Sequence, residues 1–169
     1  MQQLFVSNSE DSQRCLYSAC GQVLRSQNSA IIVSLAEHPT FHVGLRMLQD
    51  WCPVGAFACS FCGATVHGAL TRTEFTTAPR FLCVKSEKLP GLGVKGPLVE
   101  TDVMHLGVRY CLGAVIHHAG ATAYSGHYTA TVFNDGRGFY CDDDTIGLRT
   151  GVSMIVGDGY MALYKRIGD

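Results

Sequence analysis

A histidine and a group of acids lie on either side of a hairpin signal and could carry acid–base chemistry. His127 follows Gly126 at the start of a β-rich run, and three aspartates at 142–144 end the next such run. The Asn134-Asp135-Gly136 sequence between the two runs is typical of a tight hairpin turn. In an antiparallel pair these ends can be neighbours, so a carboxylate would fix the tautomer of His127 and stabilise its imidazolium form. The pattern predicts two of the three parts of a catalytic triad.

Eight cysteines are the other side chains that could do chemistry. They are scattered along the chain, and only Cys59 and Cys62 form a Cys-x-x-Cys pair. This scatter favours reduced thiols over a disulfide scaffold. A structural zinc ion needs four ligands, and Cys52 and His67 could complete a set with the pair. A reduced turn without metal is the default interpretation, so we expect no metal and no cofactor.

The elements that must position these groups change character along the chain. In the first half, apolar residues at three- and four-residue spacing predict a helix over about residues 15–25. A second apolar run predicts a short helix over 41–51 that ends before Pro53. After residue 80, short runs of β-forming residues predict antiparallel strands over 81–84, 108–116, 128–133, 138–141 and 161–164, with a loop over 89–97.

Composition narrows the class of protein. The chain has 169 residues, 47% hydrophobic and 16% charged, which is the profile of one globular domain. The net charge is −1 and no basic run occurs, so nucleic acid is not the expected ligand. The sequence has no apolar stretch of about 18–20 residues and its start lacks the pattern of a signal peptide. We therefore expect a monomer in the cytoplasm or nucleus, with no membrane contact.

Five short motifs follow one another in the second half of the chain. They are Ala114-Val115-Ile116, His118-Ala119-Gly120, Gly126-His127-Tyr128, Phe139-Tyr140-Cys141-Asp142-Asp143 and Gly159-Tyr160-Met161-Ala162-Leu163-Tyr164-Lys165-Arg166. Their order resembles the C-terminal part of the ubiquitin-specific protease family of cysteine deubiquitinases. The resemblance implies that His127 is the general base, Asp142 its orienting acid and Asp143 a supporting group. It also implies that Gly126 and Tyr128 contact the substrate.

The same resemblance implies a nucleophile near the start of the chain. In the family, a cysteine lies at the start of a helix, where the helix dipole and a nearby imidazolium lower the pKa of a thiol. Cys15 fits this box, because a glutamine follows seven residues later at Gln22 and a leucine nine residues later at Leu24. Cys20 is the competitor, on another face of the predicted helix.

The upstream half of the nucleophile box differs from the family pattern. The family's oxyanion asparagine, five residues before the cysteine, falls on Glu10, whose ionised carboxylate cannot donate a hydrogen bond. The donor to the oxyanion is then Gln13, Asn8 or the backbone amides at the helix start.

Together these features predict a compact α+β domain of papain-like cysteine protease architecture, with a helical lobe and an antiparallel β lobe. The expected parts are a helical lobe with the cysteine box over 1–55, a reduced remnant of the family's finger region over 56–78, and a β lobe with His127 and Asp142 over 79–169. The resemblance implies a deubiquitinase that cuts the (iso)peptide bond after the terminal Gly-Gly of ubiquitin or a ubiquitin-like modifier. The alternatives are a ubiquitin-binding pseudo-protease and a papain-like protease that processes a polyprotein.

Overall fold

Most of the chain that the structure describes is β-strand. The computed structural model describes residues 4–36, 38–55, 57–65, 67–87, 99–122, 125–149, 155–156 and 159–168. In chain order the elements are β1 (Ser7–Cys15), β2 (Val23–Ala30), β3 (Ile32–Leu35), α1 (Phe41–Gln49), β4 (Cys52–Val54), β5 (Ala69–Phe75), β6 (Phe81–Ser86), β7 (Val99–Glu100), β8 (Asp102–His105), β9 (Val108–Thr122), β10 (Ser125–Asn134), β11 (Arg137–Asp142), β12 (Thr145–Arg149), β13 (Ile155–Val156) and β14 (Gly159–Arg166).

Four strands form an antiparallel sheet, here called the finger sheet, in the order β2-β1-β5-β4. Its edge strand β2 is exposed at every residue. Polar side chains add to the backbone pairing of β2 with β1. Gln27 donates to Glu10 at 3.0 Å, and Ser29 donates to Asn8 at 2.7 Å. Only Ile31 separates β2 from β3, which belongs to a different sheet.

The helix predicted over residues 15–25 is wrong. Arg14 pairs with Val23 across β1 and β2, and the backbone N–H of Cys15 donates to the carbonyl of Gln22 at 3.0 Å. The segment between them is therefore the turn of a hairpin. Its apolar side chains are largely exposed, Leu16 at 47% and Leu24 at 41%, so their helical spacing did not reflect burial on one face.

A second, larger sheet, here called the main sheet, runs in the order β12-β11-β10-β9-β14-β6-β3, with β8 also paired to β9. Its pairs are antiparallel except for β3 and β6. One face of this sheet forms the core together with α1. The fully buried side chains there include Leu82, Val84, Tyr110, Val115, Tyr164, Phe41 and Leu45. The strands predicted after residue 80 are confirmed, whereas the predicted loop over 89–97 lies outside the described residues.

The short helix predicted over 41–51 is confirmed as α1. Thr40 caps it, because the Thr40 side chain accepts a hydrogen bond from the backbone N–H of Val43 at 3.2 Å. Pro53 follows shortly after its end, as predicted. Among the described residues α1 is the one helix, so the structure does not show the helical lobe predicted over 1–55. None of the described helical structure is long and apolar enough to cross a membrane.

The predicted hairpin between β10 and β11 is also confirmed. Asp135 and Gly136 have φ angles of 49° and 74°, the left-handed values that a two-residue turn of this kind requires. Asn134 pairs with Arg137 at the base of the turn. This turn fixes the register that carries His127 on β10 toward Asp142 on β11.

We expect Leu82→Ala to lower the free energy of unfolding by about 2–5 kcal/mol, because Leu82 is fully buried and its truncation leaves a cavity. Urea denaturation measures the change. The matched control is Leu148→Ala on edge strand β12, where Leu148 is 57% exposed and the change should stay within about 0.5 kcal/mol. Equal losses in the two variants would contradict the placement of the core.

Candidate functional site

His127 and Asp142 are in direct contact at one end of the main sheet. His127 is the third residue of β10, and Asp142 is the last residue of β11. The Nε2 atom of His127 lies 2.5 Å from Oδ1 of Asp142. The two side chains are 52% and 37% exposed, so a substrate can reach them from solvent. The structure thus brings together the base and the acid that the sequence predicted.

The surroundings of His127 favour its charged form. The hydrogen bond and the charge of Asp142 raise the pKa of His127 above its usual value, and the charge of Asp143 adds to this effect. Asp143 reaches the pair because its backbone turns back after β11, with a φ of 47°. One ligand atom from each of His127, Asp142 and Asp143 lies within 4.8 Å of the others. Protonated His127 is therefore stabilised by two neighbouring carboxylates.

Gly126 and Tyr128 flank His127 on β10. The side chain of Tyr128 and the open Cα of Gly126 are on the face of the sheet opposite to the side chain of His127. Gly126 lies opposite Gly120 on β9, next to an irregularity in the pairing. Tyr128 is 41% exposed and packs against the ring of His118, with ring centroids 4.5 Å apart. Both residues are therefore neighbours of His127 along the strand, on the other face of the sheet.

Cys15 and Gln13 lie in the finger sheet, not beside His127. Cys15 ends β1 opposite Ala69 of β5, and Gln13 pairs with Thr71. Phe75, at the other end of β5, belongs to the core. The six residue steps from Phe75 to Ala69 span about 20 Å at the rise of a β-strand, so Cys15 is at the far end of the sheet from Phe75. The premise of an activated Cys15 at a helix start is wrong, since a strand and a turn occupy that segment.

Cys15 instead belongs to a cluster of four cysteines. The Sγ atoms of Cys15, Cys20, Cys59 and Cys62 all lie within 4.8 Å of one another. Cys15 and Cys62 are 4.0 Å apart, and Cys20 and Cys59 are 3.8 Å apart. The expected partners of the Cys-x-x-Cys pair are therefore corrected. The thiol of Cys52 instead donates a hydrogen bond to the backbone carbonyl of Met47 at 3.6 Å. The ring of His67 stacks on that of Tyr17, with centroids 4.7 Å apart.

The four-cysteine cluster has the geometry of a tetrahedral zinc site. Zinc–sulfur bonds of about 2.3 Å place the sulfur atoms of a tetrahedron about 3.8 Å apart, close to the observed distances. A backbone hydrogen bond from Cys62 lowers the pKa of Cys59 to about 7, so one thiolate is available near neutral pH. The donor set fits zinc, so the four-cysteine cluster is a candidate metal site, whereas the sequence predicted none.

The electrostatics of Cys15 do not suit a nucleophile. A backbone hydrogen bond from Tyr17 lowers the pKa of Cys15, but burial and the neighbouring thiols of Cys59 and Cys62 outweigh it. The net effect raises the pKa of Cys15, whereas an attacking thiol needs a lowered one. Cys15 is also only 3% exposed.

The remaining cysteines are on strands that keep them away from His127. Cys141 precedes Asp142 on β11 and therefore points to the opposite face of the sheet. Cys111 is eight residues along β9 from Ala119, the residue opposite His127, which is about 26 Å of strand. Cys83 is on β6, two strands beyond β9, and burial raises its pKa.

A signal for the four-cysteine cluster was present in the sequence. In each pair, Cys15–Cys20 and Cys59–Cys62, a glycine follows the second cysteine directly. These glycines, Gly21 and Gly63, have φ angles of 59° and 68°, which a turn around a metal requires and other residues adopt at a cost. A pair of nearby cysteines followed by glycine therefore occurs twice in the sequence. This repetition predicts that the four thiols lie together.

Comparison with known proteins adds two independent findings. A family model described as ubiquitin carboxyl-terminal hydrolase matches residues 1–164. The human protein "Ubiquitin carboxyl-terminal hydrolase 3" is 34% identical over 79 residues, which are 45% of this chain and 15% of that protein. The alignment therefore covers less than half of this chain and a small part of that relative.

The fold is similar to that of solved deubiquitinase modules. The SAGA DUB module of Ubp8, Sgf11, Sus1 and Sgf73 bound to monoubiquitin aligns with a TM-score of 0.72 and 16% identity, over 98% of this chain and 41% of that chain. A yeast SAGA DUB module aligns with a TM-score of 0.75 and 17% identity, over the same shares of the two chains. At this identity the likeness shows a shared fold, and this chain spans about two fifths of those structures.

We expect Asp142→Asn to lower the pKa of His127, because the variant removes the carboxylate that stabilises the imidazolium. NMR titration of the His127 ring measures the change, with Asp144→Asn as the matched control. The raised pKa of His127 stabilises the folded protein fully below the usual histidine value of about 6.5, and this contribution disappears as pH rises through the raised value. An unchanged titration in Asp142→Asn would contradict the contact.

We expect the protein to bind about one zinc ion per chain, and Cys20→Ser to abolish that binding because it removes one of four ligands. Elemental analysis after gel filtration measures the zinc content. Cys52→Ser is the matched control, since Cys52 lies on β4 of the same finger sheet but outside the cluster. Loss of zinc in both variants, or in neither, would contradict the assignment.

Proposed function

Because this chain belongs to the ubiquitin carboxyl-terminal hydrolase family, we propose that it acts in the removal of ubiquitin and carries the general base and orienting acid of a cysteine deubiquitinase. The observation that supports this most directly is the contact between Nε2 of His127 and Oδ1 of Asp142 at an exposed end of the main sheet. The acids beside His127 suit a base that must become positively charged during the reaction.

The proposed reaction breaks the bond after the C-terminal glycine of ubiquitin in two steps. A thiol attacks the glycine carbonyl and His127 takes the thiol proton, so that the carbonyl carbon becomes tetrahedral. The imidazolium of His127, stabilised by Asp142, then protonates the leaving amine and a thioester remains. Water next attacks the thioester with His127 as the base, which frees the carboxylate of ubiquitin and restores the thiol.

Gly126 and Tyr128 are the proposed contacts for the substrate tail. Gly126 precedes the base at the exposed end of β10, where its backbone is accessible to an extended Gly-Gly segment. Tyr128, the residue after the base, offers a partly exposed aromatic side chain. A ubiquitin-like modifier with the same tail would fit the same contacts. Monoubiquitin is bound in one of the modules that share this fold, which supports the choice of substrate.

We assign Cys15 to the four-cysteine cluster and propose that the attacking thiol is not one of the eight cysteines of this sequence. The basis is that all eight cysteines are described, and each lies in the four-cysteine cluster or on a strand that points it away from His127. The zinc ion, when bound, supplies structural cross-linking of the two cysteine turns and no step of the reaction. Gln13 then has no role at the oxyanion, because it lies on β1.

Binding of ubiquitin tests the proposed function without requiring a thiol. We expect added ubiquitin to shift the NMR resonances of the His127 ring and of the backbone amides of Gly126 and Tyr128, because the proposed tail lies along this exposed end of β10. Ubiquitin that lacks its last two glycines should shift them little, since it lacks that tail. Equal shifts with the two proteins, or none with either, would remove the support for this site.

Ubiquitin with a C-terminal electrophile tests the assignment of Cys15. We expect intact mass spectrometry to show no adduct on the zinc-loaded chain, because metal-bound thiolates are held away from the tail. Cys15→Ser and Cys20→Ser are measured beside it. An adduct that disappears in Cys15→Ser but persists in Cys20→Ser would make Cys15 the nucleophile and overturn its assignment as a ligand.

A further inference from the structure

His118 is a buried histidine that the proposed chemistry does not use. It lies on β9 opposite Tyr128 and is 5% exposed. Both of its ring nitrogens are buried, and neither has a hydrogen-bond partner among the residues that the structure describes. Burial of a polar group without a partner destabilises a fold, so the position of this ring needs a physical explanation.

The ring of His118 occupies the space behind two glycines of the candidate site. A Cβ added at Gly126 would lie 2.4 Å from Nε2 of His118, and one added at Gly120 would lie 3.1 Å from its Cε1. Gly120 and Gly126 face each other across β9 and β10, beside the irregularity at Ser125. The imidazole therefore occupies the space where a Gly126 side chain would lie, whereas backbone atoms of Ser125 and Gly126 come closest to the Cβ position of Gly120.

Two tyrosines hold the ring of His118 in this place. The ring centroids of Tyr128 and Tyr160 lie 4.5 Å and 6.1 Å from that of His118, and 5.9 Å from each other. Contacts at these separations are typical of packed aromatic groups. The three rings form a cluster on the face of the sheet opposite to that of His127.

We propose that His118 is a positioning residue for His127, and that its ring packs against Gly126 from the reverse face of the sheet to fix the backbone from which His127 extends. The inference deepens the proposed function and rests on it for the role of His127. Side chains alternate along a strand. Gly126 and Tyr128 contact the buried ring, so His127 between them points to the other face, where Asp142 lies.

The packing surface of the ring, rather than its nitrogens, carries this role. Neither nitrogen has a partner, so no hydrogen bond would be lost on replacing the ring by another flat one. His118→Phe keeps a flat ring against Gly126, although its larger size requires a small adjustment of Tyr128 or Tyr160. His118→Leu keeps apolar volume but loses the flat surface, and the backbone at Gly126 would relax into the gap.

NMR titration of the His127 ring in the full chain, without ubiquitin, tests the proposal. We expect the pKa of His127 in His118→Leu to fall by more than half of the decrease seen in Asp142→Asn, because the contact between His127 and Asp142 loosens. We expect His118→Phe to retain most of the native value. The measurement does not depend on ubiquitin binding, so its failure is distinguishable from failure of the proposed function.

The matched control is His105→Leu. His105 is likewise buried, at 1% exposed, its nitrogens also have no partner, and it packs on Phe75 in the core rather than behind the site. We expect it to lose stability without changing the titration of His127. An equal change in His105→Leu, no change in His118→Leu, or a loss in His118→Phe as large as in His118→Leu would each overturn the proposal.

If His118→Leu does not fold, Tyr160→Leu, which removes one ring that holds His118, provides the same comparison.

Discussion

The register between β9, β10 and β11 is the constraint on which the candidate site depends. One set of backbone hydrogen bonds places Gly126 opposite Gly120, and a second places Ala130 opposite Cys141. Because side chains alternate along a strand, a shift of one residue in either pairing would turn His127 or Asp142 to the other face. The two-residue turn at Asp135 and Gly136 prevents such a shift, since its length and φ angles fit one register.

The two candidate sites lie in two different sheets. The proposed base and acid are at an exposed end of the main sheet, where carboxylates lie beside an imidazole. Thiol chemistry is concentrated at the far end of the finger sheet, where four cysteines lie on two hairpin turns. The finger sheet has little apolar core of its own, and polar side chains such as Gln27 and Glu10 add to the backbone pairing of its strands. A metal at its end would offset that shortage in the way that small metal-binding domains do.

The sequence was informative where local patterns and long-range structure agree. The strands after residue 80 and the turn at Asn134 have strong local signals, and the pairing of His127 with Asp142 follows from the short hairpin between them. The helix predicted after Cys15 is wrong because exposed apolar side chains, such as those of Leu16 and Leu24, happen to recur at helical spacing. The four-cysteine cluster joins positions more than forty residues apart, and periodicity within a short window carries no information on such contacts.

The single residue between β2 and β3 has a mechanical consequence. Residues 23–35 form an almost continuous extended rod of about 40 Å, which begins beside the cysteine turns and ends in the main sheet next to β6. The orientation of the cysteine turns relative to the main sheet is therefore set at two places, at Ile31 and where Phe75 of β5 packs in the core.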